Sequence, residues 1–130
     1  MKTTLISLII LAFTFTACSQ DAVKQTQLVA KDVSVQEFAQ LMKDNPGLIL
    51  DVRTKGEVAK GSIDNHVHLD IFNDNFESEI DKLDKNKPVY VYCAVGGRSS
   101  EAMQMMNKKG FKEVYNLAGG YTAWKKEMVK

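Results

Sequence analysis

Residues Val89-Tyr90-Val91-Tyr92-Cys93-Ala94-Val95-Gly96-Gly97-Arg98-Ser99 place a thiol where nucleophilic chemistry is easily supported. The β-branched and aromatic run leading into Cys93 predicts a strand, and Ser99-Ser100-Glu101-Ala102-Met103 predicts a helix that starts at once. Only Ala94, Val95, Gly96 and Gly97 separate the cysteine from Arg98, so the chain must turn tightly between the two elements. Loop amides that converge on a helix N-terminus favour negative charge. They are expected to lower the pKa of Cys93 and to draw in anionic substrates. A reactive cysteine is therefore the leading expectation, with a buried structural cysteine as the plain alternative.

The surrounding pattern alternates strands and helices. Ser34 with Glu37 has the spacing of a capping box, and Phe38, Leu41 and Met42 share the face of a helix that ends near Asn45-Pro46-Gly47. Leu48 to Val52 is a continuous apolar run with Asp51 at its end, as expected for a buried parallel strand. A helical turn through Glu57-Val58-Ala59 stops at Gly61. A short strand over His66-Val67-His68-Leu69 and a helix capped by Asn73 or Asn75 through Phe76, Ile80 and Leu83 follow. Pro88 opens the strand that leads to Cys93. The next helix directs Ala102, Met105 and Met106 inward and ends at Gly110, followed by a strand from Lys112 to Leu117, a Gly119-Gly120 turn and a helix from Tyr121 to Met128. Such alternation predicts an α/β domain: a mostly parallel sheet of about five strands with helices on both faces. In these sheets the ligand site lies beyond the carboxyl ends of the strands, where Asp51 and Cys93 both fall.

A chain of 130 residues is long enough for one domain with its own core. Its beginning reads differently from the rest. Met1-Lys2, the apolar run from Leu5 to Phe15 and the small residues Thr16-Ala17 before Cys18 predict a signal peptide over residues 1–17. The apolar run is short for a membrane span. Residues 18–32 are expected to be a polar tether and residues 33–130 the folded domain. Removing Lys2 with the leader leaves basic and acidic side chains in equal number. With no basic block, this argues against nucleic acid as a partner.

Phe15-Thr16-Ala17-Cys18 resembles the lipobox of bacterial lipoproteins, which implies lipid on the Cys18 sulfur and an exported, membrane-anchored protein of the cell envelope, facing the periplasm or the outside. Lipidation would leave Cys93 without a disulfide partner on the oxidising side of a membrane. The domain itself resembles the single-domain rhodaneses in Leu50-Asp51-Val52-Arg53, Glu57, Gly61, Ile63, the loop from Cys93 to Arg98 and Leu117-Ala118-Gly119-Gly120-Tyr121-Thr122-Ala123-Trp124. That resemblance implies a three-layer sandwich and a sulfurtransferase without cofactor. Cys93 would take a sulfane sulfur from thiosulfate or a persulfide and pass it to a thiol or cyanide. The amides of Ala94, Val95, Gly96, Gly97 and Arg98 would cradle the substrate, with Arg98 adding positive charge. It further implies that Arg53 pairs with Glu57 as scaffold beside Asp51, that Gly119 and Gly120 supply a turn near the site, and that Trp124 belongs to the core.

The pattern also has departures. Ser62 replaces the histidine usual after the glycine, His68 stands where asparagine is usual, and Ala94 and Val95 bring no charge to a loop that often carries a basic residue. His66 and His68 share one face of a predicted strand, but no further ligands are in view, so no metal is expected. Related cell-cycle phosphatases and arsenate reductases place one more residue between cysteine and arginine, and the shorter loop here favours a single sulfur atom over a tetrahedral phosphate. A catalytically idle rhodanese fold serving as a membrane-tethered binding module is the rival from another class. The sequence does not specify an oligomeric state.

Overall fold

The computed structural model describes residues 27–129. In chain order the elements are β1 (Val29–Val33), α1 (Val35–Asp44), β2 (Leu48–Asp51), α2 (Lys55–Val58), β3 (Val67–His68), α3 (Phe76–Asp81), β4 (Val89–Tyr92), α4 (Gly97–Lys108), β5 (Glu113–Leu117) and α5 (Gly120–Met128). The strands form one sheet in the order β1-β5-β4-β2-β3, and every pairing is parallel. The expected sandwich is thus present, with β4 at the centre of the sheet.

Alternation along β4 builds the two faces. Val89, Val91 and Cys93 point to the layer of α3 and α4, where they pack with Leu50, Ile80, Met106 and Phe111. Tyr90 and Tyr92 point to the opposite layer, with Phe38 of α1 and Leu117. Phe38 is fully buried between edge-on contacts to Tyr90 and Trp124, at centroid distances of 5.6 and 6.1 Å. Trp124 therefore packs against the core from α5, as expected. All four residues of β4 are buried, as for a strand covered on both faces.

Several expectations are corrected. Residues 29–32, assigned to the tether, belong to the sheet: β1 pairs with β5 from Val29 opposite Glu113 to Val33 opposite Leu117. Lys31 and Asp32 are exposed on this edge strand, and charge on an edge reads as linker in sequence although it serves to blunt the edge. Helix α1 keeps only half of its capping box. Ser34 Oγ accepts from the Glu37 amide, whereas the Glu37 carboxylate turns to Lys31 Nζ at 2.7 Å. His66 lies outside β3, which is only two residues long. In α4 it is Met103, with Ala102 and Met106, that is buried, and Met105 is half-buried. The leader over residues 1–17 and the Cys18 lipid site lie outside the described residues.

Because Val33 is only 2 % exposed and Val29 and Ala30 are half-buried, β1 contributes about 3 kcal/mol of apolar burial besides its ladder. A chain beginning at Ser34 is expected to melt at least about 10 °C below one beginning at Gln27. Equal melting temperatures in a thermal scan would show that β1 is dispensable.

Candidate active site

Cys93 follows the last residue of β4, and the next three residues lead into α4 with Gly96 as its N-cap. At that position φ is +107°, which L side chains rarely adopt, and it turns the Gly96 amide back toward the thiol. Gly96 N lies 3.1 Å and Ser99 Oγ 3.3 Å from Cys93 Sγ. Ser99 is fully buried in the first turn of α4, and its hydroxyl also contacts the Gly96 carbonyl at 3.2 Å.

The carbonyls of the same loop are held on the outside. Tyr121 N donates to Cys93 O at 2.8 Å and Thr122 N to Ala94 O at 3.0 Å, so the first amides of α5 grip the back of the loop. Asn116 Nδ2, on β5, donates to Gly96 O at 3.2 Å. This close approach explains Gly120, where an added Cβ would sit 2.5 Å from Cys93 O and 2.6 Å from the Ala94 carbonyl. With their carbonyls engaged outward, the loop peptides turn N–H groups inward.

The thiol responds to that arrangement. Burial acts to raise its pKa, yet the Ser99 hydroxyl and the amides of Ser99, Gly96 and Val95 outweigh it, and the Cys93 pKa lies below the ordinary thiol value. The residue is only 1 % exposed, while Val95 stands 69 % exposed at the tip of the loop. The arrangement suits a thiolate that attacks a small electrophilic atom entering the amide cradle.

Arg98 and Glu57 meet across the front of the site. Arg98 Nη1 and Nη2 donate to the two Glu57 carboxylate oxygens at 2.9 and 2.7 Å. The Glu57 carboxylate also accepts from Thr54 N and Thr54 Oγ1, closing a capping box on α2 whose Thr-x-x-Glu spacing was legible in the sequence but not used. Chiefly through Arg98, opposed by partial burial and helped by Thr54, the Glu57 pKa falls to about 2. The pair is intact at neutral pH, and its stabilisation is lost as pH drops from the usual carboxylate range toward that value. The Arg98 guanidinium also lies 5.6 Å from the Phe72 ring centroid.

Asp51 and Arg53 form a second pair, and here the expected Arg53–Glu57 contact is corrected. Arg53 Nη2 reaches Asp51 Oδ2 at 2.6 Å and Gly61 O at 2.8 Å, and the guanidinium stacks 4.4 Å from the Tyr121 ring centroid. Both residues are buried, because Arg53 bonds backward to the end of β2, whereas Glu57 lies on α2 facing the cysteine loop. Burial acts to raise the Asp51 pKa, but hydrogen bonds from Arg53 and Tyr92 hold it below the usual carboxylate range. The scaffold role expected of Asp51 and Arg53 fits this geometry.

The two histidines do not converge. His68 Nε2 donates to the Arg53 carbonyl at 2.7 Å and His66 Nδ1 to the Ile63 carbonyl at 2.9 Å, so each ties down a loop. No group of three or more potential metal-ligating residues occurs among the described residues. Ser99 is the functional residue that sequence reasoning missed. Its only signal was its place in the first turn of the helix after the cysteine.

Residues 34–127 match the family described as Rhodanese-like domain. Over 98 residues the chain is 39 % identical to the thiosulfate sulfurtransferase GlpE of Coxiella burnetii, covering 75 % of this chain and 90 % of that protein. It is 33 % identical to the tRNA uridine(34) hydroxylase of Pelagibacter ubique, but spans only 33 % of that longer protein. Among solved structures, a rhodanese-like domain protein from Staphylococcus aureus is 29 % identical and superposes with a TM-score of 0.66, over 77 % of this chain and 96 % of that one.

Ser99→Ala removes one hydrogen bond to the thiolate while leaving the Gly96 amide in place. Alkylation of Cys93 by iodoacetamide at neutral pH should slow about tenfold, the worth of one hydrogen bond to a charged group, and its pH midpoint should move up. An unchanged rate profile in the folded variant would remove Ser99 from the site.

Proposed function

The chain belongs to the rhodanese-like domain family, and from that premise we propose that it is a sulfurtransferase that carries a sulfane sulfur on Cys93. The observation that carries this reading is the cradle around the sulfur, with Gly96 N and Ser99 Oγ both within hydrogen-bonding reach of Sγ at the N-terminus of α4. Donors placed around Sγ stabilise the negative charge of the attacking thiolate and of the same thiolate when it is the leaving group.

The reaction runs in two half-steps. The Cys93 thiolate attacks the outer sulfur of a donor, an S–S bond to Cys93 forms, and the donor's own S–S bond breaks. Thiosulfate then leaves as sulfite and a persulfide donor leaves as a thiolate. Transfer from thiosulfate leaves the outer sulfur as Cys93–S–S⁻, which takes a proton from water, and in the second step an acceptor thiolate or cyanide attacks the outer sulfur of Cys93–S–SH. The Cys93 thiolate is the leaving group and the proton departs with the transferred sulfur. Neither step needs a general base once the first thiolate exists. Asp51 and Arg53, buried behind the loop, hold the Gly61 turn and touch neither partner in this scheme.

We further propose that the domain sits at a membrane surface, anchored by lipid on Cys18 in the bacterial cell envelope. It is supported by the lipobox-like run Phe15-Thr16-Ala17-Cys18 after an apolar leader.

Incubation with thiosulfate or glutathione persulfide should add the mass of one sulfur atom to the intact protein, and Cys93→Ser should gain none. No gain with either donor, or an equal gain on the serine variant, rejects sulfur transfer. Cys18→Ala, expressed with its leader in a bacterial host, should move the protein from the membrane fraction to the soluble one. Continued membrane retention would reject the lipid anchor.

A further inference from the structure

Arg98 lies in the first turn of α4, close after Cys93 in the chain, yet its guanidinium is turned to a carboxylate. Both terminal nitrogens are taken up by Glu57 in a fork-to-fork pair, a geometry that fixes the side chain as well as cancelling its charge. Glu57 is itself held by Thr54 N and Oγ1, so the carboxylate is locked in place from two sides. Its low pKa keeps it ionised throughout the physiological range.

No replacement cation stands in the loop. Ala94 and Val95 are uncharged, and Lys60 and Lys125 line, together with Glu57 itself, a cavity of about 260 Å³ that none of residues 93–98 lines. Two apolar side chains also stand exposed here. Val95 is 69 % exposed, and Phe72, whose ring lies under the Arg98 guanidinium, is 68 % exposed. A dianion such as thiosulfate approaching this mouth meets the Glu57 carboxylate together with a neutralised arginine. A persulfide on an uncharged organic body meets apolar surface and presents one charge at the sulfur alone.

We infer that Glu57 is a specificity-determining residue: by holding Arg98 in a bidentate pair it selects organic persulfides with an uncharged body over thiosulfate as sulfur donors. Glu57 acts through Arg98 and is a positioning residue. The inference rests on the sulfurtransferase reading for its substrate class, but the electrostatic claim is separable from turnover.

Titration calorimetry of thiosulfate into Cys93→Ser, which cannot form a persulfide, isolates anion affinity. Adding Glu57→Gln keeps an oxygen for Thr54 and restores a net charge to Arg98. Thiosulfate should bind at least about tenfold tighter, and the gain should shrink as salt is raised. Further addition of Arg98→Gln should abolish that gain. In the otherwise native chain, Glu57→Gln should lower the thiosulfate KM with little change in kcat. The KM for N-acetylcysteine methyl ester persulfide should stay the same or rise. Equal thiosulfate affinity with and without Glu57→Gln, or a gain that survives Arg98→Gln, overturns the inference. Circular dichroism and a melting curve establish folding, and Glu57→Ala, which also frees Arg98, serves as the second variant. Failure of Cys93 to gain sulfur from any donor would instead reject the sulfurtransferase reading and leave the binding result standing.

Discussion

The site depends on which way the peptide groups after Cys93 are turned. A loop in this position has carbonyls and amides in equal supply, and an anion is stabilised only if the amides face it. Here Tyr121 N, Thr122 N and Asn116 Nδ2 take the carbonyls of Cys93, Ala94 and Gly96 on the outer side. The inward face is thereby left to N–H groups, and the N-terminus of α4 adds its dipole in the same direction. Two helix N-termini thus serve one loop: α5 orients it from behind and α4 presents it to the sulfur.

That constraint reaches well beyond the loop. For the first amides of α5 to reach Cys93 O, backbone must pass within contact distance of backbone, and only a glycine at position 120 leaves the space. For α5 to be seated there, Trp124 and Tyr121 must pack on the Phe38 and Tyr92 side of the sheet. Asn116 must in turn sit at the end of β5, whose register is set by β1 on one side and β4 on the other. Residues 29–32, which look like linker, therefore contribute to the placement of the site through the strand they pair with.

The two acid–arginine pairs divide the remaining work by depth. Asp51–Arg53 is buried, and its charges are compensated by each other, by the Gly61 carbonyl and by the Tyr92 and Tyr121 rings, so losing one partner would strand the other in the core. Glu57–Arg98 is half-exposed and joins the start of α4 to the capping box of α2. The resemblance implied Arg53 with Glu57, but the backbone separates them. Arg53 follows directly from β2 and folds back on its end, whereas Thr54 starts α2 and aims Glu57 toward the cysteine loop.

The sequence by itself determined the α/β alternation, the cysteine at the end of the central strand and the tight loop into a helix. These are local properties, written in strand and helix periodicity and in the few residues between Cys93 and Arg98. Ser34, Phe38, Pro88 and Gly119-Gly120 were readable for the same reason. What only the tertiary structure decided were the direction of the Ser99 hydroxyl onto the sulfur one helical turn away and the contacts between residues far apart in the chain: Glu57 on Arg98 forty-one positions away, the α5 amides on the Cys93 loop, and β1 as an edge strand. Each depends on where a side chain or amide points once the layers are packed. Periodicity records which face of an element is apolar, but not which polar group on a neighbouring element will lie opposite it.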